Sequence, residues 1–327
     1  MLTPTLTAVL WLGSLPGCVP RLPDEDLVTG LEVVTVVAEP PEVSAIEEYA
    51  LTAWVADAWQ RGAEVVVWPC TPVDLGDRVR CAEGLDINEV GIRTSYWTET
   101  GVVRDHHFTA RMVTPLVPFL AFTESAGPDQ YKQGLPMPVY ALACEPGVCS
   151  LFDWLRADPD PGTEAYAQLA RTLADPELLA DQAPIGQMSL AVKLVTVVDP
   201  TAERIGNPTL ELLGRRGVPG TGGFEWLWQV TPSGAAPEPE PTTTYPYYDG
   251  DDDDDSVSRP NQPIDWSVRV GYTSGRIIER TFDGSQLVVD WQADFDRDGV
   301  MVIGISDGRG GTAGGAVDLP QREGEGE

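Results

Sequence analysis

The sequence predicts a mainly β chain, two antiparallel β-sandwich domains with a helical insertion between them, and three observations carry that reading. Short runs dense in Val, Ile, Leu and Trp recur toward both ends of the chain, bounded by clusters of Gly, Pro and Asp. Between them one stretch switches to helical spacing. At 327 residues the chain is also longer than a single hydrophobic core usually serves, which favours two domains.

In chain order, residues 2–15 are mostly apolar and lead into Leu15-Pro16-Gly17-Cys18. Residues 1–18 therefore read as a signal peptide ending at a lipoprotein-type processing site, with Cys18 as the lipidated residue. No Lys or Arg precedes Arg21, so the basic segment that usually opens such a leader is missing. The alternative is an apolar strand or helix with an incidental cysteine. No later stretch has the 18 or more apolar residues of a membrane helix, so attachment to a membrane is expected through this end alone.

Residues 19–30 form a tether rich in Pro and acid, and residues 31–150 the first sandwich. Its expected strands lie at 31–37, 49–56 and 63–68, with 101–113 and 139–143 completing it; Glu39-Pro40-Pro41-Glu42 stops the first. Cys70 and Cys81 bracket a loop at the end of a strand, and Cys144 and Cys149 form a second local pair. Disulfides within these pairs suit an exported protein, ordinary buried thiols being the alternative.

Residues 151–188 are expected to be helical. Thr163 can cap a helix, Glu164 sits in its first turn, and Tyr166, Leu169, Ala170 and Leu173 share one face. From 189 to 320 the strand pattern returns, at 190–198, 224–230, 266–270, 276–281, 287–291, 301–305 and 316–319. Ser274-Gly275 and Asp283-Gly284 mark two of the turns. An acidic Pro/Asp-rich loop over 232–264 interrupts this region and has no apolar period to build a core. Residues 321–327 are a disordered acidic tail.

Charge narrows the function. With 21 basic against 51 acidic residues, the chain carries −30 at pH 7, which repels phosphate backbones and anionic headgroups and argues against nucleic-acid partners. Catalytic inventory is thin. The two histidines are the adjacent His106 and His107, whose side chains point apart on a strand, and neither Lys132 nor Lys193 lies in a recognisable motif. No catalytic residue is assigned; the enzyme class least excluded is a carboxylate-pair glycoside hydrolase.

Two binding features stand out. Asp294, Asp296 and Asp298, followed by Gly299, can present hard oxygens to Ca²⁺, while the twelfth position of an EF-type loop is Ile305, so an EF-hand is rejected and a calcium-bound turn between strands is the candidate. Trp226 and Trp228 fall on one face of a strand. If that face is exposed, they form an aromatic platform for a glycan or protein partner; the alternative is core packing.

The segments Tyr272-Thr273-Ser274-Gly275-Arg276, Val288-Val289-Asp290-Trp291 and Val300 through Gly311, ending in Asp307-Gly308-Arg309-Gly310-Gly311, resemble the closing strands of bacterial Ig-like and polycystic-kidney-disease-type modules. Ala38-Glu39-Pro40-Pro41-Glu42-Val43, Leu51-Thr52-Ala53 and Val66-Val67-Trp68 resemble the opening strands of a similar module. The whole order is similar to envelope lipoproteins of the myxobacterial type. The resemblance implies two Ig-like sandwiches and a lipid-anchored address in the bacterial cell envelope, at the outer membrane or its periplasmic face, and no particular activity; a non-enzymatic structural, adhesion or scaffolding role is the first expectation. A secreted carbohydrate- or calcium-binding module protein is the second expectation.

Overall fold

Valine density and alternation start the first strand. Leu31–Glu39 (β1) reads LEVVTVVAE, and its buried residues split between two faces: alternation sends Val33 and Val34 to opposite sides, and a bulge between Val33 and Thr35 keeps Val36 and Ala38 on the side of Leu31 and Val33. In the computed structural model, the described residues are 26–44, 47–69, 72–74, 80–81, 99–114, 134–149, 186–198, 204–219, 223–232, 264–293 and 298–320.

Glu48–Asp57 (β3) pairs antiparallel with β1 on one side and with His107–Val113 (β8) on the other. This three-stranded sheet curls into a half-barrel. A five-stranded sheet covers one of its faces, in the order Glu42–Val43 (β2), Met188–Val197 (β10), Leu135–Cys144 (β9), Glu64–Pro69 (β4) and Glu99–Val102 (β7). Only the β2–β10 pair is parallel. Leu51, Val55, Val65, Met112, Val139 and Val195 fill the space between the two sheets. Each such side chain contributes about 1.5–3 kcal/mol when fully withdrawn from water. Pro72–Asp74 (β5) and Arg80–Cys81 (β6) make a separate small hairpin.

The other face of the half-barrel meets a second three-stranded sheet, Ser267–Tyr272 (β13), Gly299–Ser306 (β16) and Thr312–Leu319 (β17). Val28, Val34, Ala56, Val300 and Val302 pack there. Side chains on Gly271, Gly304 and Gly314 would collide with Val34, Thr35 and Trp54, so glycine sets how closely these two sheets approach. The far face of β16 packs Met301, Ile303 and Ile305 against a four-stranded sheet, Thr209–Val218 (β11), Gly223–Thr231 (β12), Gln286–Gln292 (β15) and Arg276–Phe282 (β14). Covered on both faces, β16 is buried along nearly its whole length, which explains its unbroken apolar run.

Polar clamps cross the seams. Asn207 donates to the Ala38 carbonyl at 2.6 Å and accepts from the Thr312 amide at 2.9 Å. Thr312 donates to the Val36 carbonyl at 3.1 Å. Lys193 on β10 reaches across to the Gly310 carbonyl in the β16–β17 turn. In that turn Asp307, fully buried, holds the Arg309 guanidinium at 3.2 Å. The Asp307-Gly308-Arg309-Gly310-Gly311 segment is thus a structural fastener between sheets.

The expected fold class is corrected by this arrangement. The chain is not two Ig-like sandwiches joined by a helical insertion. It is an all-β stack of four main sheets, one of them a half-barrel, with no helix among the described residues. The strand expected at 190–198 is present as β10, but it pairs with β9 in the first sheet rather than opening a second domain. Of the predicted helical segment, residues 151–185 lie outside the described residues, and its last residue, Met188, already belongs to β10. Two faces of packing on β1 and β16 merge what the sequence presents as separate cores.

Candidate functional site

The β7–β8 connection is a two-residue turn. Arg104 and His107 exchange backbone hydrogen bonds, each 2.9 Å, which leaves Asp105 and His106 at its tip with φ of 48° and 65°. Both conformations are left-handed and more natural to Asn-Gly than to Asp-His. Two contacts hold the turn. The His106 carbonyl accepts from the Val55 amide at 2.8 Å, and the His107 ring lies 5.0 Å from that of Trp54. The adjacent histidines therefore diverge: His107 packs against β3, and His106 places Nε2 3.0 Å from Asp318 Oδ1 on β17.

This contact spans a cleft of about 640 Å³ between the half-barrel and the two sheets beyond it. Its polar lining includes Asp57, Asp105, His106, Arg215, Asp298 and Asp318. Val55, Ala63, Val103, Val300, Leu319 and Pro320 supply hydrocarbon wall. Such a mixture of apolar wall and a few convergent polar groups is the usual make-up of a ligand site.

The polar groups are held in different ways. Asp57 shapes the site, its oxygens accepting from the Trp59 amide at 3.0 Å and the Gly62 amide at 2.8 Å to fold the chain leaving β3. Arg215 spreads over the rings of Phe224 and Trp226 at 5.1 and 5.6 Å, which fixes the guanidinium by stacking. Asp298 is set by the glycine after it: a side chain at Gly299 would strike Ser274 and Thr273, and the Thr273 hydroxyl accepts from the Val300 amide at 2.9 Å.

Of the alternate aspartates, Asp298 lines this cleft, while Asp294 and Asp296 lie outside the described residues. Among the described residues no group of three or more His, Cys, Asp or Glu side chains is arranged to hold a metal ion. Trp226 and Trp228 do share a strand face, but it is the inner one: they are 4% and 3% exposed, and they pack in the core with Leu287, Val289 and Met301. The exposed-platform reading is corrected accordingly, since β12 is an interior strand whose alternate residues face β16. Cys144 and Cys149 form a disulfide at the end of β9. Cys18 and Cys70 lie outside the described residues, and Cys81 contributes its backbone to β6.

The sequence reading missed the roles of Asp57, Asp105, Arg215 and Asp318, and set His106 aside. A signal was present, Asp105-His106 between two β runs at the place where a hairpin needs its turn. Asp318 and Arg215 came from distant parts of the chain and carried none.

Among known proteins, no family model and no curated protein matches the sequence. Solved structures to which it is similar include red sea bream transglutaminase, at 7% identity and a TM-score of 0.24, over 88% of this chain and 31% of that one. Dimeric latent PorU from Porphyromonas gingivalis is similar at 8% identity and a TM-score of 0.23, over 91% of this chain and 24% of that one. The chain thus spans less than a third of either, and at such scores neither likeness bears on fold or function.

Proposed function

We propose that this protein is a non-catalytic cell-envelope lipoprotein, tethered through Cys18, that holds a cationic segment of a partner protein in the cleft between its sheets. The observation that carries the reading is the lining of that cleft: among the described residues, Asp57, Asp105, Asp298 and Asp318 against the one guanidinium of Arg215. An ammonium or guanidinium group entering there meets several acceptors, and hydrocarbon walls receive the methylene stem that carries it. The chain's charge of −30 steers such a partner from a distance. Binding is favoured over group transfer because the described lining pairs its carboxylates with hydrocarbon wall, the make-up that receives a cationic side chain. Calorimetric titration with a lysine-rich peptide tests this. Saturable heat that falls on raising the salt supports the proposal, and absence of heat up to millimolar peptide refutes it.

A further inference from the structure

β11 is an edge of its sheet: among the described residues it pairs with β12 on one side and has no strand on the other. It is ten residues long, and Leu212 and Leu213 are 38% and 49% exposed. An open edge of this length is a template for another strand, and folded proteins rarely leave one without a partner or a device that blocks it. β11 has a bulge between Leu212 and Gly214. A bulge bends the edge and unfits it for a straight strand. It does not unfit it for a strand carrying the same bulge at the same place.

We propose that a second copy of this chain adds to β11 edge to edge, antiparallel, about a two-fold axis through the Leu213–Gly214 bulge, joining two four-stranded sheets into one continuous sheet. Charge complementarity specifies this occupant. Glu211 lies opposite Gln229 and Arg216 opposite Glu225. Because Gln229 and Glu225 fall on one face of β12, Glu211 and Arg216 also share a face. Five residues apart on a regular strand they would not; the bulge corrects the alternation. Reversal about the bulge sets Glu211 of each copy against Arg216 of the other, and the symmetry makes the pair twice.

The opposite edge of the sheet fits less well. β14 is shorter, at seven residues, and its Arg276 and Arg280 are engaged with Gln292 and Asp26.

Sedimentation of the full chain, with Arg216→Glu and the exchange Glu211→Arg/Arg216→Glu alongside, tests the proposal. Neither position lines the cleft, and Arg216 is 76% exposed with Glu225 as its in-chain partner, so the fold should tolerate both changes; circular dichroism and melting verify it. The wild type should dimerise reversibly. Arg216→Glu should weaken the dimer by about tenfold or more, because two attractive cross-strand pairs become repulsive. The double exchange should recover affinity to within a few-fold of wild type, although the in-chain Arg216–Glu225 pair stays broken. A wild type monomeric at 200 µM, an Arg216→Glu dimer of unchanged affinity, or a double exchange that fails to recover would each overturn the proposal.

Discussion

Replacing Lys193 with methionine removes an amine from one of the drier parts of the molecule. Lys193 is 7% exposed on β10, donates to the Gly310 carbonyl, and feels the buried Asp307 carboxylate as a weaker, opposing influence. Burial dominates and lowers its pKa from 10.5 to about 8. Between those two values the unfolded chain binds more protons than the folded one, so stability rises with pH across that window. At neutral pH the folded state carries a penalty of about 3 kcal/mol for keeping the amine charged; by pH 10 roughly 2 kcal/mol of it is relieved. Methionine has a similar reach and no charge. It abolishes the penalty and leaves the Gly310 carbonyl without a donor, at a cost of about 1–3 kcal/mol. Chemical denaturation at intervals from pH 7 to 10 should show wild-type stability climbing by about 2 kcal/mol and Lys193→Met nearly flat. Above pH 10 the buried Tyr49, whose pKa is raised by desolvation, reverses the trend, because its ionisation then favours the unfolded chain. Wild-type stability that is level or falling between pH 8 and 10 would refute the reasoning.

Trp291 donates to the Ser274 carbonyl at 2.8 Å, whereas the indole N–H of Trp228 is buried without an acceptor among the described residues, so Trp291→Phe should cost at least about 1 kcal/mol more than Trp228→Phe in urea denaturation; equal losses would contradict it. Gly299→Ala should destabilise by about 2 kcal/mol or more through its collision with Ser274, measured as a drop in melting temperature that Gly217→Ala, in open space, does not share. Reducing Cys144–Cys149 should lower stability by about 2 kcal/mol, read as a shift of the urea midpoint that Cys144→Ser reproduces. Intact-mass analysis of the mature protein should find an acylated Cys18 at its N-terminus; an unmodified cysteine there would remove the anchor.

Strand positions were largely legible, and their assembly was not. β1, β3, β4, β9 and β15 announce themselves by β-branched and aromatic density, and each lies where the sequence places it to within a few residues. β11 was missed because Thr209–Val218 reads TLELLGRRGV, in which a glycine and paired arginines conceal the alternation. Those features belong to an edge strand with a bulge, where burial does not impose a pattern. The apolar run of β16 was visible, but a strand buried on both faces looks the same from sequence whether it joins two layers or closes one domain. Trp226 and Trp228 show the same limit: period two gives the shared face without saying which face is wet.

The cleft was the least legible feature. It joins the Asp105-His106 turn to Asp318, more than two hundred residues away, and local patterns cannot report a meeting of that kind. Its composition matters more than any one residue, because several carboxylates beside hydrocarbon favour a cation.

Backbone amide resonances followed during titration with the lysine-rich peptide report whether a cationic segment enters the cleft. Saturable shifts concentrated at Val55, Asp105, His106, Asp298 and Asp318 are expected, and they should weaken in Asp318→Asn. Shifts confined to the acidic 232–264 segment, or a response that Asp318→Asn leaves unchanged, would contradict binding in the cleft.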